Sequence, residues 1–527
     1  MHELELKFSV PSYTQANLAK QFDNKTVKKQ RLSAYYLDTP GQDLAKHGIA
    51  LRVRYEDDQW VQTLKTNGDG VAKRVELNLV LPIEATPSTL DIASLAKQLN
   101  LDDHEQLSAQ LAKVMPIDEL ASALTVQYFT DIERISKIIK KNNSRIEVAY
   151  DLGKVGTQQK TAITTPKTTT SKSSTKTADN NATEYPIHEI EFELLEGTVE
   201  DLVSVAKLWC QRHKLYLSTV TKAQRGSLLL AGQTFAEPVK ANLALLQVDK
   251  DSNEFEFLQQ VVSNCLAQIL PNASAIAEGS PDGNLVHQLR VGIRRLRTAL
   301  KVFKNSADSI EPNWLTVLKH TFSLLGEYRD REILKIKTQP MLEAQGAPHV
   351  EWSTDVAIMP IDAVRANDFQ IVLLELISFT HRDSTENGKI PKAKKMVAKK
   401  LEKLFNHIAE ASENFAKLDT EHQHEIRKDL KTLRYISEFA APLFIEQKGK
   451  KGKKVAELNA FLQYLEPAQD VLGEYNDNVV GHAHYQEKAK QDPNALFAMG
   501  WFGGREQHSA EACAVSLKTV KNAPKFW

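Results

Sequence analysis

Two hydrophobic periods divide the chain. Up to about Gly226, apolar and polar residues alternate in short runs: ELELKF, IALRVRYE, WVQTLK, KRVELNLVL, SRIEVAYDL and HEIEFELL. A switch of face at every residue marks a β-strand with one apolar and one polar side. Amphipathic stretches at residues 90–99 and 199–213 predict helices between them. After residues 236–240, which include Pro238, the period lengthens to about 3.6 residues and stays there until near Lys521. The runs 255–270, 285–303, 393–416 and 424–439 predict long helices. The expected fold is therefore α+β, with a mostly antiparallel sheet and covering helices over residues 1–235, followed by an all-α domain over residues 245–527.

Length agrees with this division, since 527 residues exceed what one hydrophobic core usually organises. The segment at about 157–183 (TQQKTAITTPKTTTSKSSTKTADNNAT) has almost no apolar content and predicts a mobile loop between two strands. Lysine plus arginine total 67 and aspartate plus glutamate also total 67, so no global field recruits nucleic acid or membrane. Any polyanion site must be a local concentration of charge. Cys210, Cys265 and Cys513 share no metal-ligand spacing and fit reduced thiols, and no stretch approaches the roughly 18 apolar residues of a membrane span. With no secretory pattern at MHELELKFSV, the expectation is a cytoplasmic protein without a membrane partner.

The polar phase of the strands is unusual. Glu3, Glu5 and Lys7 share one face, as do Arg52 and Arg54, Thr63 and Lys65, and Arg74, Glu76 and Asn78. Arg145, Glu147 and Asp151 follow, and Glu189, Glu191 and Glu193 set three carboxylates in a row about 7 Å apart at roughly 3.3 Å rise per residue. An ordinary solvated face mixes signs, because like charges stacked along a strand repel. Here acids gather on the first strand and at 189–193, and bases at 52–54 and 65–74. That separation suits a closed sheet, a β-barrel or tunnel, whose lumen holds a highly negative ligand together with divalent cations. Leu4, Leu6, Phe8, Leu51, Val53, Ile190, Phe192 and Leu194 would then face outward against helices.

These residues carry a family resemblance. Glu3-Leu4-Glu5-Leu6-Lys7 resembles the ExExK motif of the CYTH superfamily, the triphosphate tunnel metalloenzymes that include tripolyphosphatases, thiamine triphosphatases and class IV adenylate cyclases. Further pieces follow in the family's order: YYLDT at 35–39, ALRVR at 50–54, QTLK at 62–65, RVE at 74–76, TDIER at 130–134, IEVAYDLG at 146–153, EIEFEL at 189–194 and TKAQRG at 221–226. The resemblance implies that Glu3, Glu5, Glu189, Glu191 and Glu193, with Asp151 assisting, hold Mg2+ or Mn2+. It implies phosphate-binding roles for Lys7, Arg52, Arg54, Lys65, Arg74, Arg134, Lys222 and Arg225, with Lys7, Glu3 and Glu5 at the catalytic centre. Two departures stand out: Thr221-Lys222 replaces the family's Ser-Lys, and the 157–183 loop is longer than expected.

In the second half, His287-x-x-Arg290-x-x-x-Arg294-x-x-Arg297 recurs as His424-x-x-Arg427-x-x-x-Lys431-x-x-Arg434, every position offset by 137 residues. Gly326-Glu327-Tyr328-x-Asp330 recurs as Gly473-Glu474-Tyr475-x-Asp477 at an offset of 147. The domain reads as an internal duplication of helical bundles. Each basic set lies on one helical stripe, beside an apolar stripe of Leu289, Ile293 and Leu296 or Ile426, Leu430 and Leu433. The duplicated pattern resembles the CHAD domain, a helical module that binds inorganic polyphosphate, with Arg295 and Lys301 extending the patch.

The expected activity is metal-dependent hydrolysis of tripolyphosphate to pyrophosphate and phosphate, with a helical domain that holds polyphosphate. Thiamine triphosphate or ATP as substrate would need a pocket for the organic part, and no motif identifies one. A non-catalytic tether is opposed by the acidic clusters, which are costly unless a cation neutralises them. Nucleic acid is not an expected partner, because aromatic residues are 7% of the chain and do not interleave with the basic stripes.

Overall fold

The structure, a computed structural model, describes residues 2–23, 27–67, 73–99, 105–157, 184–304, 310–382, 391–445 and 451–527. Most of the predicted 157–183 loop lies outside the described residues. The chain forms two compact units, Met1–Glu237 and Pro238–Trp527.

The first unit is built on a nine-stranded sheet: β1 (His2–Ser9), β2 (Lys28–Asp38), β3 (Ile49–Glu56), β4 (Gln59–Asn67), β5 (Lys73–Leu81), β6 (Thr125–Lys141), β7 (Ser144–Thr157), β8 (Glu184–Glu196) and β9 (Tyr216–Leu217). The order is β5-β4-β3-β2-β6-β7-β8-β1-β9, all pairings are antiparallel, and the first residues of β1 also pair with β5. Hairpin chemistry sets register locally. Asp57 and Asp58, between β3 and β4, have φ of 46° and 61°, the paired positive φ of the two-residue turn whose twist matches its strands.

The alternation places side chains as the pattern requires. Leu4, Leu6, Phe8, Leu51, Val53, Ile190 and Phe192 are buried, and Leu194 is half-buried. Phe192 meets Trp209 of the helix Val199–His213 with ring centroids 5.8 Å apart, so that helix covers the apolar side of β8. It starts where Thr198 accepts a hydrogen bond from the Asp201 amide. Leu51, Val53, Trp60 and Leu64 pack with Leu95, Leu111 and Leu120. The stretch predicted as a helix at 90–99 is a 3-10 helix, Ile92–Gln98; so short a segment between loops settles for three-residue bonds such as Leu99 N–H to Ala96 O.

The helix Lys222–Leu230 is capped by Thr221, whose side chain accepts from the Gln224 amide, so a hydroxyl in the place of the family's serine does the same work. Its seat is Tyr128: the phenol donates to Ala223 O at 2.8 Å, and a Cβ at Gly226 would stand 2.1 Å from the ring.

The described residues of the second unit form helices joined by loops. Its principal helices are Glu254–Ala277, Gly283–Val302, Pro312–Ile333, Asn367–Phe379, Ala393–Ala411, Thr420–Phe444, Lys451–Ala489 and Ala495–Val520. The two basic motifs fall on Gly283–Val302 and Thr420–Phe444, and the two GEYxD segments on Pro312–Ile333 and Lys451–Ala489. Asp282 and Asp419 cap the two basic helices, and the stripes Leu289, Ile293, Leu296 and Ile426, Leu430, Leu433 are buried. Among the described residues no helix is long and apolar enough to cross a membrane.

Candidate functional site

Strand register assembles a charged cavity in the first unit. Across β6, β7, β8 and β1, Arg134 opposes Asp151, Asp151 opposes Glu189, Glu191 opposes Lys7 and Glu193 opposes Glu5. Across β3, β4 and β5, Arg52 opposes Thr63 and Lys65 opposes Glu76. The resulting cavity of about 540 Å³ is lined by Glu5, Lys7, Arg52, Arg54, Lys65, Glu76, Arg134, Asp151, Glu191, Glu193 and Lys222, among others. Ten of these eleven belong to the set proposed from the sequence.

On the acidic side, carboxylate oxygens of Asp151, Glu189 and Glu191 lie within 4.8 Å of one another. Three cations neutralise them. Lys222 Nζ is 2.7 Å from Asp151 Oδ2 and 2.8 Å from Glu191 Oε1, and it also pairs with Glu189. Arg134 holds Asp151 through Nε to Oδ1 at 2.7 Å and Nη2 to Oδ2 at 2.6 Å, and reaches Glu191 as well. Lys7 lies 3.8 Å from Glu189 and donates to Val220 O.

Burial works against charge on Lys222, but Asp151, Glu189 and Glu191 outweigh it and raise its pKa well above the ordinary lysine value. Burial likewise favours a neutral Glu191, yet Lys222, Arg134 and Lys7 hold it well below the usual carboxylate range. Lys7 goes the other way: burial lowers its pKa, and Glu189 only partly offsets that.

On the basic side, Glu76 pairs with Lys65 and lies 3.8 Å from Arg52. Arg54 pairs with Glu56, while burial and the nearby Arg52 lower its pKa. Three oxygen-donor carboxylates fit a hard divalent cation, and guanidinium and ammonium groups with few counter-charges fit phosphoryl oxygens.

Glu189 reaches the group through Lys222 and Lys7. Arg225 is a different case: it is buried with its guanidinium 4.9 Å from the Tyr185 ring centroid and does not figure among the residues lining the cavity. Glu3 and Arg74 are register partners, but their side chains lie outside the described residues. The sequence reading passed over Glu76 and Thr219 as site residues; Glu76 shares the polar phase of Arg74, and that was its available signal.

A second charged cluster lies in the helical unit. The guanidinium groups of Arg290, Arg294 and Arg297 lie 4.3, 5.2 and 5.3 Å from the centroid of the Phe322 ring, and Arg290 Nη1 donates to Phe322 O at 2.8 Å. A Cβ at Gly326 would meet Arg290 Nη1 at 2.2 Å, so a side chain there would displace the guanidinium.

Burial pushes Arg290 down to about 10, helped by Arg294 and Arg329 and opposed by Asp330. Burial pushes Lys431 down to about 7, helped by Arg294, Arg427 and Arg290 and opposed by Asp477. Burial, with neighbouring cations, also lowers Arg427, His287 and His424. The two repeats thus converge on one crowd of positive groups.

Arg434 is engaged locally, by Glu438 at 2.8 Å and Gln469 at 2.7 Å. The expectation for Arg295 is corrected. It is 1% exposed, donates to Gln268 and Asn264, and lies over Phe439, because it sits one position beyond the Arg294 stripe and points into the core. Lys301 is exposed near Arg297, Lys319 and Lys428.

Comparison with known proteins agrees with this two-part organisation. An inorganic triphosphatase from Haemophilus influenzae is 28% identical over 264 residues, which cover 49% of this chain and 63% of that protein, so the chain spans less than two thirds of this relative. Among solved structures, the CHAD domain of the plant Ricinus communis matches with a TM-score of 0.42 at 24% identity, over 55% of this chain and 99% of that one. A Hippeastrum adenylyl cyclase with a dominant triphosphatase activity matches with a TM-score of 0.29 at 13% identity, over 44% of this chain and 97% of that one. Residues 1–227 match the family described as CYTH domain and residues 260–486 the family described as CHAD domain, and the chain therefore joins a CYTH domain to a CHAD domain.

Proposed function

We propose that the first unit is a divalent-metal-dependent inorganic triphosphatase, hydrolysing tripolyphosphate to pyrophosphate and phosphate, and that the second unit binds inorganic polyphosphate in the cytoplasm. In this reading residues 1–235 form a triphosphate tunnel domain and residues 245–527 a duplicated helical domain. The observation that supports the reading is the division of charge at one cavity: Asp151 and Glu191 on β7 and β8 line it, with Glu189 placing an oxygen within 4.8 Å of theirs, and Arg52, Arg54 and Lys65 on β3 and β4 line its other side. The pairing of β1 with β8 and with β5 supports a sheet curled into a tunnel around that cavity.

Asp151, Glu189 and Glu191, with Glu5 and Glu193 beside them, would hold Mg2+ or Mn2+, which when bound polarises phosphoryl oxygens and lowers the pKa of an attacking water. Arg52, Arg54 and Lys65 would orient the phosphate chain by charge-assisted hydrogen bonds. Lys7, buried beside the acidic group, would stabilise negative charge developing on the transferred phosphoryl group without needing to reorganise. Arg134 fixes Asp151 and Glu191 in place.

For the second unit, Arg290, Arg294, Arg427 and Lys431 crowd together, with Asp330 opposing at Arg290 and Asp477 at Arg427 and Lys431, a balance that an added polyanion would shift. The test is phosphate release from tripolyphosphate, ATP, thiamine triphosphate and long-chain polyphosphate, each with and without magnesium or manganese. Metal-dependent release greatest with tripolyphosphate supports the reading; preference for an organic triphosphate, or no release, overturns it.

A further inference from the structure

The three carboxylates that fit a divalent cation are the three that Lys222 already holds. Its ammonium touches Asp151, Glu191 and Glu189, with the first two at 2.7 and 2.8 Å. Oxygens lying within 4.8 Å of one another leave room for one cation centre between them. A divalent ion ligated at roughly 2.0–2.6 Å would therefore stand where Lys222 Nζ stands. Asp151, Glu189 and Glu191 carry three negative charges, and Lys222, Arg134 and Lys7 carry three positive ones, so these three carboxylates are compensated before any metal arrives, while Glu5 and Glu193 add further negative charge to the same cavity.

The means of release is also present. Arg134 is locked on Asp151 by two hydrogen bonds, whereas Lys222 is the first residue of its helix, with a flexible four-carbon stem and a side chain 14% exposed in the cavity wall.

We propose that Lys222 is a resident counter-cation that competes with the divalent metal for Asp151, Glu189 and Glu191, and that it leaves them for the phosphate oxygens when substrate enters, so that metal and triphosphate are admitted together. This rests on the triphosphatase reading for the identity of the anion.

The experiment titrates the full chain with Mn2+ alone by calorimetry and follows Mn2+-induced thermal stabilisation by circular dichroism. Lys222→Met should bind Mn2+ at least about tenfold more tightly than the wild type, because a like charge in contact has been removed. Lys222→Arg should stay as weak as the wild type, and Asp151→Asn should bind more weakly still. Lys222→Gln is the second neutral variant, should the methionine variant fold poorly. Mn2+ binding by folded neutral variants that equals or falls below the wild type overturns the proposal. That failure is distinct from failure of the triphosphatase reading, which would appear as a wild type that hydrolyses no tripolyphosphate with Mn2+ whatever the neutral variants bind.

Discussion

Arg134 and Asp151 face each other across the β6–β7 ladder and are joined by two parallel hydrogen bonds, 2.7 Å from Nε to Oδ1 and 2.6 Å from Nη2 to Oδ2. Asp151 is fully buried, and this fork and Lys222 are its charged partners. Arg134→Gln removes one partner of a buried, hydrogen-bonded pair. It should destabilise the first unit by about 3 kcal/mol. Urea denaturation of both proteins checks this, and a change under about 0.5 kcal/mol, the range of ordinary surface substitutions, would show that the fork is not structural.

Glu5 lines the cavity and opposes Glu193 in the β1–β8 register. Glu5→Gln keeps the volume and removes the charge. Triphosphate hydrolysis at limiting metal should fall by about a hundredfold or more, as it does on losing a group that acts on the charged transition state, while the circular dichroism spectrum stays unchanged. Turnover equal to the wild type would remove Glu5 from the ligand set.

What the sequence disclosed and withheld follows from the range of each interaction. Alternation is local, so the shared polar faces of Glu5 and Lys7, Arg52 and Arg54, and Glu189 and Glu191 were legible from single strands. Register is not local. Lys7 stands opposite Glu191, and Asp151 opposite Glu189, through pairings that span a large part of the unit, and no residue of β1 encodes which residue of β8 it will meet. For this reason Lys222 could be assigned to phosphate but not to the carboxylates it contacts, and Glu76 could be placed on a polar face but not beside Lys65. In the helical unit the stripes were readable to within one position. Arg294 joins the basic crowd, and Arg295, turned by about 100° on the same helix, packs under Phe439.

Gly226 lets the helix that carries Lys222 lie against Tyr128. A Cβ there would come within 2.1 Å of the ring, and the ring is itself stacked on Tyr36 with centroids 4.8 Å apart. Gly226→Ala should therefore push the helix out, costing about 1–3 kcal/mol as overpacking does. Hydrolysis should fall with it, since Lys222 starts the displaced helix. Thermal melting and turnover measured on the same sample check the pair; full activity in a destabilised variant would separate the seat from the site.

Replacing Arg290, Arg294, Arg427 and Lys431 together with glutamine should abolish binding of long polyphosphate and leave tripolyphosphate turnover intact, because the phosphate ligands proposed for the first unit all come before about residue 226. In the wild type, binding should weaken steeply between low and high salt, as expected when a polyanion releases counterions to a basic surface. Affinities at two ionic strengths, beside circular dichroism, check this. Unchanged affinity in a variant with intact helices would reduce the stripe to a solvated face.

Lys431 stands where the first repeat has Arg294, and the two differ in a way pH can expose. Burial together with Arg294, Arg427 and Arg290 brings the Lys431 ammonium down to about 7, with Asp477 opposing. An arginine in that position would keep its charge, since guanidinium pKa values start far higher. A phosphate placed among these groups favours the charged lysine and raises its pKa, so binding takes up a proton at any pH between the free and bound values. The sign follows directly: affinity for polyphosphate is fully present below about 7 and declines as pH rises above it, until the bound-state pKa is passed. His287 and His424, lowered below the ordinary histidine value by burial and neighbouring cations, would take up protons on binding in the wild type and in Lys431→Arg alike, so the difference between the two pH slopes across that window belongs to Lys431. Arg290, at about 10, stays charged through most of it. Lys431→Arg should therefore lose less affinity for long polyphosphate between pH about 6.5 and about 8.5 than the wild type, in which Lys431 contributes a loss of up to roughly tenfold for each pH unit. Affinity measured across that range in both proteins checks the claim, and equal pH slopes would show that Lys431 is charged throughout.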